Sequence, residues 1–398
     1  MGRLSRNVVA LGFVSLFTDV ASEVTLRTIP FYLLNVLDVD KSVVGAIEGV
    51  ARALAVLTQL ASGLLSDMTG KRKPLTLAGY GISNLVKPGL YLASSWPLVS
   101  AIRFLDRFGK GIRTAPRDAL IADSVAPEDR GRAFGLHRTM DTIGSVLGLA
   151  IVASVVRWRL GDSTPVLDQG TFRALVLVAS VPAVLSILVL ALLVREPEAK
   201  PLARKFSLEG ALPPQLRRYL VAVFFFNVSA TSDAFFMLRA QELGVPLWET
   251  FVLVGIMSVV QAGLSYPAGV LSDRLGRRGL VAAGWVVGAL QLLGFGFARD
   301  GVELALVFAL AGLYLGLSEG NEKALLADLA PKELKATALG FYNLAAGLAL
   351  LAASALTGEL WVRFGPRVAF GAGALSALLA ACLLAFVPPP RQAPAPSA

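Results

Sequence analysis

The chain has 398 residues, of which 55% are hydrophobic and only 16% charged, and its mean hydropathy is +0.66. This composition excludes a soluble protein of such length and predicts a chain embedded in a lipid bilayer. The net charge of +9 does not indicate a nucleic-acid partner, because the basic residues cluster in short connections between apolar stretches, where they set membrane orientation. The single cysteine, Cys382, excludes a disulfide framework and a thiolate metal site.

The apolar stretches are long enough for helices that cross the bilayer, and the alternating ten-residue pattern of a membrane barrel is absent. The first stretch continues past Phe31 and carries charges, so we expect it to remain as a helix and not to be cleaved as a signal peptide. The predicted helices cover residues 7–36, 43–65, 74–93, 97–122, 131–155, 173–194, 217–240, 248–271, 279–298, 301–327, 335–357 and 366–387. The predicted fold class is therefore an all-α membrane protein with twelve transmembrane helices in two six-helix bundles.

The chain divides into two bundles, a linker and a tail. The predicted units are an N-terminal bundle (1–194), a cytoplasmic linker rich in charge and proline (195–216), a C-terminal bundle (217–387) and a disordered cytoplasmic tail (388–398). Roughly 22 Lys and Arg fall in one set of alternate connections and about 6 in the other, so the positive-inside rule places both termini in the cytoplasm.

A repeated motif relates the two halves. Residues 63–73 read GLLSDMTGKRK and residues 269–278 read GVLSDRLGRR, so the two copies start 206 residues apart. A second match, ALIAD at 119–123 and ALLAD at 324–328, recurs at an offset of 205. Two matches in the same order at nearly the same offset indicate an internal duplication.

These motifs resemble the Major Facilitator Superfamily, whose signature between helices two and three is G-x-L-a-D-r-x-G-r-k. The resemblance covers the whole chain and implies two bundles related by an axis along the membrane normal, a substrate site between them, and alternating access by rocking. It further implies a cytoplasmic latch that holds the outward-open state. The implied latch residues are Gly63, Asp67, Gly70 and Arg72, with Asp273, Gly276 and Arg277 as the second copy.

The fourth predicted helix is similar to that of bacterial drug and proton antiporters of this superfamily, but only in part. Arg103 matches their helix-four arginine, whereas Asp106 and Arg107 stand where those exporters have Gln and Gly. On the fifth helix Gly144 and Gly148 match the antiporter motif, but its proline is replaced by Leu149. The resemblance therefore favours export and a bacterial cytoplasmic (inner) membrane as the location.

Charged residues recur on one face of the first predicted helix. Asp19, Glu23 and Arg27 are spaced by four residues and form a polar stripe on an otherwise apolar segment. At a rise of about 1.5 Å per residue, Asp19 lies about 18 Å from a start near residue 7, close to mid-bilayer. An ionisable group at that depth is costly unless it is paired or faces water, so the stripe is a candidate functional site. Glu48 and Arg52 are also four apart, and we expect them to pair with Arg27 and Glu23 across helices.

The two halves differ in character, which predicts a division of labour. The first half is expected to handle protons and the second, where aromatic residues surround Asn227 and Asp233, to offer the substrate an apolar wall. The candidate proton-coupling residues are Asp19, Glu23, Arg103 and Asp106. The candidate substrate-binding residues are Arg27, Glu48, Arg52, Arg107, Asn227, Asp233 and Phe236.

The leading functional hypothesis is a proton-coupled exporter of a small amphipathic or cationic molecule, working as a monomer without a cofactor. A metal-ion exporter is a second possibility, although one histidine and one cysteine argue against a borderline metal. A carrier of organic anions or lipid headgroups is a third, with the membrane arginines as binding charges. No catalytic or nucleotide-binding motif is present, so an enzyme is not expected.

Overall fold

The computed structural model describes residues 5–126, 129–196, 213–330 and 335–388, and within these ranges every regular element is a helix. The helices of the first half are α1 (Arg6–Leu26), α2 (Ile29–Asn35), α3 (Lys41–Thr69), α4 (Arg72–Val86) with a 3₁₀ continuation (Lys87–Leu92), α5 (Trp96–Asp123), α6 (Arg130–Leu160) and α7 (Gln169–Leu193). Those of the second half are α8 (Pro214–Ser229), α9 (Asp233–Glu242), α10 (Leu247–Leu275), α11 (Arg277–Phe297), α12 (Gly301–Leu329), α13 (Lys335–Phe364) and α14 (Pro366–Ala385).

These helices group into segments consistent with the predicted twelve, because three segments are interrupted. The first consists of α1 and α2, the seventh of α8 and α9, and the third of α4 with its 3₁₀ continuation. Ten segments of the described chain are long and apolar enough to span a bilayer. The other two, residues 72–92 and 96–123, fall short because one is interrupted and the other carries a charged face. The chain is thus a multi-pass helical membrane protein.

Several helices extend beyond the predicted boundaries. The helix α3 ends at Thr69, where Gly70 takes a left-handed conformation (φ 66°) and closes the last turn. The helix α7 begins earlier than predicted because Asp168 caps it, accepting the Thr171 backbone N–H at 2.7 Å. Residues 214–216, predicted as linker, already belong to α8, whereas residues 197–212 and most of the predicted tail lie outside the described residues. The predicted boundaries fall where the apolar stretch meets its first charged residues, whereas the observed helices continue to their capping residues.

The duplication is visible as repeated helix crossings. A Cβ on Gly79 would come within 2.6 Å of the Arg113 nitrogen, where α4 crosses α5. The equivalent glycine 205 residues later, Gly284, lies against Ser318, the residue equivalent to Arg113. Two residues, 70 and 71, separate α3 from α4, but Gly276 alone separates α10 from α11. This one-residue difference explains why the offset falls from 206 to 205 after the first motif.

We call the face that carries the motif connections near residues 70 and 276 the basic face, and the opposite one the far face. On the far face the halves touch through polar contacts: the Leu247 backbone N–H donates to the Thr164 oxygen at 3.0 Å, and Lys41 pairs with Glu242 at 3.3 Å. Below them α3 and α13 pack closely down to mid-membrane, since a Cβ on Gly49 would lie 2.8 Å from the Leu351 oxygen. The halves are therefore closed on the far face.

On the basic side, by contrast, the inter-half ion pair that the described residues show is exposed. Arg138 lies 3.6 Å from Glu319, with side chains 66% and 46% exposed.

Candidate functional site

The interrupted helices of the two halves meet where the chain changes direction. Arg27 follows the end of α1 and Asp233 begins α9, and their side chains are joined at 2.7 Å between Nη1 and Oδ2. They stand 206 residues apart, the offset of the duplication, as do Asn35 and Gln241, which are hydrogen-bonded at 2.8 Å. Equivalent residues of the halves thus face each other. Helix interruptions at corresponding positions of two repeats mark binding sites in transporter folds.

Arg27 links the predicted polar stripe to the second half. Its Nε donates to Glu23 Oε2 at 2.7 Å while its Nη1 binds Asp233, so one guanidinium holds two carboxylates. The three side chains are between 17% and 33% exposed. Glu23 and Arg27 of the stripe therefore lie at the interface between the halves. The expected pairs of Arg27 and Glu23 with Glu48 and Arg52 were wrong, since Asp233 takes their place.

Arg103 and Glu48 form a second, fully buried ion pair. The guanidinium binds both carboxylate oxygens, at 2.9 and 2.7 Å, and both residues are about 5% exposed. Ser232, in the interruption between α8 and α9, reaches Glu48 Oε2 at 3.5 Å. Bidentate geometry fixes both side chains, and the partner of the candidate proton-coupling residue Arg103 is thus Glu48 of α3.

The Asp106 carboxylate lies within 4 Å of three cationic side chains inside the first half. Its Oδ1 accepts from Ser83 at 2.7 Å and lies 3.4 Å from the fully buried Lys87. Its Oδ2 lies 3.6 Å from Arg107 and 3.9 Å from Arg103. The carboxylate is 2% exposed, so this cluster supports the neighbouring Arg103 from within the helix bundle.

Asp19 stands one turn from Glu23 on the same stripe and is only partly buried. Within the described chain it has no hydrogen-bond or ion-pair partner, although Lys110, Arg113 and Asp141 lie in electrostatic range. The turn below it is tied to α6, because Ser15 donates to Asp141. Asp19 is therefore a carboxylate that solvent reaches and that no fixed cation neutralises.

Beside this network lies a cavity of about 110 Å³ in the second half. Three of the predicted substrate residues, Arg52, Asp233 and Phe236, line it, and Phe236 is stacked on Phe295 at 4.1 Å. Asn227 does not line it, since its amide donates to the Val223 oxygen of its own helix at 2.8 Å. The remaining lining residues are Phe226, Ser229, Ala230, Thr231, Met257, Gly288, Gln291, Leu292, Ala311, Tyr314 and Leu315.

Two polar residues of this wall were missed by the sequence reasoning. Gln291 and Thr231 are 3% and 6% exposed, and their side-chain oxygens have no hydrogen-bond partner among the described residues. A signal was present for both. Gln291 is an uncharged amide in an apolar stretch, and Thr231 belongs to the run Ser229-Ala230-Thr231-Ser232, which interrupts the seventh segment.

Comparison with known proteins agrees with this architecture. The sequence profile of the Major Facilitator Superfamily matches residues 11–264 and 219–398. The chain belongs to the Major Facilitator Superfamily. Members of this superfamily are carriers and not enzymes.

An uncharacterised MFS-type transporter of Methanocaldococcus jannaschii is 32% identical over 393 residues, covering 96% of this chain and 95% of the relative. An uncharacterised protein of Mycobacterium tuberculosis (strain H37Rv) is 27% identical over 375 residues, covering 89% and 87%. Among solved structures, a variant of the nucleoside transporter NupG has a TM-score of 0.78 at 11% identity, covering 96% of this chain and 99% of that one. An inward-facing, unoccupied bacterial homologue of the lysosomal transporter Spinster has a TM-score of 0.71 at 16% identity, covering 96% and 94%. At these identities the structural likeness shows the fold.

The superfamily motif forms a compact cluster at the basic face. Arg72 is 5% exposed and binds Asp67 at 2.8 Å, Asp123 at 3.3 Å and Ser66 at 2.8 Å. Gly63 packs against Ala115, where a Cβ would lie at 3.2 Å.

The second copy repeats part of this cluster. Arg277 binds both oxygens of Asp328 at 2.8 Å, and Gly276 has a positive φ of 90°. The Asp273 side chain lies outside the described residues. Each arginine ties its motif to the end of the following long helix of its own half, and the latch role stays a prediction.

Proposed function

We propose that this protein exports a small amphipathic molecule in exchange for protons by alternating access, with the basic face in the cytoplasm of a bacterial cell. The positive-inside rule supports that orientation, which places both termini in the cytoplasm and closes the far, periplasmic face in the present arrangement. The cavity beside Arg52 and Phe236 would hold the molecule.

The observation that carries the proposal is the bridge from Arg27 to Asp233 across the two halves. Rocking that opens the far face must separate these side chains and leave Asp233 without its cation. A carboxylate beside an arginine holds a proton weakly, whereas an unpaired one in a low-dielectric site holds it tightly. Opening outward therefore captures a proton from outside, and re-pairing with Arg27 on closure expels it.

The polar stripe provides the remaining steps. Glu23 and Asp233 both bind Arg27, so when Asp233 separates from Arg27, Glu23 remains as the carboxylate partner of that guanidinium. Asp19 lies one turn from Glu23 towards the basic face and, unpaired in the described structure, accepts the released proton on its way to the cytoplasm. Arg103 and Asp106 hold the surrounding charge in place through their pairs with Glu48 and Lys87.

Proton-dependent opening can be tested without knowing the substrate. In a Cys382→Ser background, spin labels at Ser163→Cys and Glu249→Cys report the distance between the halves on the far face. Because the separated state binds more protons, acidification should lengthen this distance. Asp233→Asn should lengthen it at neutral pH and abolish most of the pH response. Glu303→Gln, an exposed helix-cap change on the same face, should behave as wild type. A distance that ignores pH and the Asp233 substitution would contradict the proposal.

A second experiment tests transfer of the proton itself. Asp19→Asn in proteoliposomes should abolish transport driven by a pH gradient while leaving counterflow of the same molecule, which moves no net proton. Unchanged gradient-driven transport would remove Asp19 from the mechanism.

A further inference from the structure

Arg52 differs from the other arginines of the central network. Glu23 and Asp233 are paired at 2.7 Å, Glu48 at 2.7 Å and Asp106 at 3.4 Å, so these four carboxylates each have a cation. Asp19, which is unpaired in the described structure, does not line the cavity. Arg52 has no carboxylate within ion-pair distance among the described residues. Its one polar contact is with Ser232 Oγ at 3.5 Å, which is too long for a strong hydrogen bond.

The guanidinium of Arg52 lines the cavity of the second half although it belongs to the first. A cation without an ion-pair partner at membrane depth is costly unless water or a ligand solvates it. An arginine offers a planar fork of donors that fits a carboxylate or a phosphate. The charge still needed at this point of the network is therefore negative.

The second-half residues that line this cavity include hydrogen-bonding groups left unused in the part of the chain that the structure describes. Gln291 Oε1 and Thr231 Oγ1 are buried beside the same cavity without a partner in the described structure. Buried polar atoms are nearly always satisfied, so two unsatisfied ones at one small cavity point to a bound polar group. The rings of Phe226 and Tyr314, which contact each other edge to face, line the same cavity and suit a flat apolar body.

We propose that the transported molecule is a small organic anion, with its carboxylate or phosphate on Arg52, a neutral hydrogen-bonding group at Gln291 and Thr231, and an apolar body against the aromatic wall. This inference rests on the proposed function of the chain as a carrier, but not on proton coupling. Because Arg52 and the cavity wall come from different halves, the bound anion bridges them and favours the closed interface. The same contacts argue against a cationic substrate in this cavity, since Asp233, the carboxylate that lines it, is already held by Arg27.

The test compares probes that share one ring and differ in charge. Purified full-length protein in detergent is titrated with benzoate, phenyl phosphate, neutral benzamide and benzylammonium, while thermal unfolding is followed at constant ionic strength set with sodium chloride. At least one of the two anions should raise the melting temperature in a saturable manner, and benzylammonium should not. Arg52→Gln should weaken binding of that anion about tenfold or more.

Matched variants keep the result interpretable. Arg52→Lys retains the charge without the fork and should give an intermediate affinity, and Gln291→Leu should weaken binding while leaving Arg52 in place. Arg132→Gln removes a surface arginine at the basic face and should change nothing. Preference for benzylammonium, no response to either anion, or anion binding unaffected by Arg52→Gln and Arg52→Lys would overturn the inference.

Failure of proton coupling would look different. If the anions bind through Arg52 but the far-face distance does not change with pH, the proposed substrate class is supported and proton exchange is contradicted. If the far face opens on acidification but no anion binds, the reverse holds.

Discussion

The two halves share their helix crossings but not their chemistry. Lys87 and Asp106, a buried ion pair of the first half, correspond at an offset of 205 to Leu292 and Ala311, which line the cavity of the second. Removing two charged side chains from equivalent positions leaves space where the first half has a salt bridge. At these equivalent positions the first half therefore has a buried ion pair and the second half has a cavity.

A second exchange of character occurs nearer the basic face. Glu322 of α12 stands where the first half has Arg117, and it is held by neutral aromatic donors, Trp285 at 2.7 Å and Tyr342 at 2.6 Å. Arg117 instead binds the adjacent Asp118 at 2.8 Å. At this pair of equivalent positions the first half has an ion pair, whereas the second half has a carboxyl group that accepts hydrogen bonds from neutral aromatic donors.

The largest effect is expected where charge is most concentrated. Asp106→Asn removes the one carboxylate that Lys87, Arg103 and Arg107 share, so three buried cations lose their counter-charge. Breaking a buried ion pair from one side costs about 3–5 kcal/mol, and we expect a loss in that range. Lys87→Met leaves Asp106 with two arginines and should cost less than half as much.

Unfolding of purified protein in mixed detergent micelles, titrated with SDS, measures both variants. Glu359→Gln, in an exposed pair with Arg363 on α13, is the matched control and should stay within about 0.5 kcal/mol of wild type. Equal losses for Asp106→Asn and Lys87→Met would show that Asp106 does not serve as the common counter-charge.

An intermediate effect is expected at the motif arginines. Arg72 is nearly buried and binds three side chains, whereas Arg277 and Asp328 are 32% and 37% exposed. Arg72→Ala should therefore lower the free energy of unfolding by about 2–3 kcal/mol, and Arg277→Ala by about 1 kcal/mol or less. The same SDS titration measures both variants, and a larger loss of unfolding free energy for Arg277→Ala than for Arg72→Ala would contradict this ranking of the two motif copies.

The sequence predicted the fold well because its signals are local. Apolar length, the duplicated motif and the basic connections are each read along the chain, and they identified the helices and the family. The polar stripe was likewise visible, since Asp19, Glu23 and Arg27 share one helix face. The boundaries were less accurate, because caps such as Asp168 lie among polar residues that hydropathy treats as outside the membrane.

The partners of the charged residues could not be read in the same way. Arg27 binds Asp233, 206 residues away, and Arg103 binds Glu48, 55 residues away, so each pair depends on how helices pack. The duplication offset held a usable clue, because residues related by it face each other at an axis between the halves. The cavity was not foreseeable from charge, since it exists where Leu292 and Ala311 replace charged residues.

The smallest effect on the free energy of unfolding is expected for two buried tyrosines, one in each half, whose hydroxyl groups donate to different kinds of acceptor. Tyr32 donates to the Ala93 carbonyl at 2.6 Å in the first half, and Tyr342 donates to the Glu322 carboxyl in the second. If that carboxyl is ionised, Tyr342→Phe removes a charge-assisted hydrogen bond and should cost about 2 kcal/mol, against about 1 kcal/mol for Tyr32→Phe. SDS titration of both variants beside Glu322→Gln tests this directly. Equal losses of unfolding free energy for the two tyrosine variants, with Glu322→Gln tolerated, would show that the Glu322 carboxyl is neutral. A neutral carboxyl needs no counter-charge, and the two aromatic donors would then form ordinary hydrogen bonds with it.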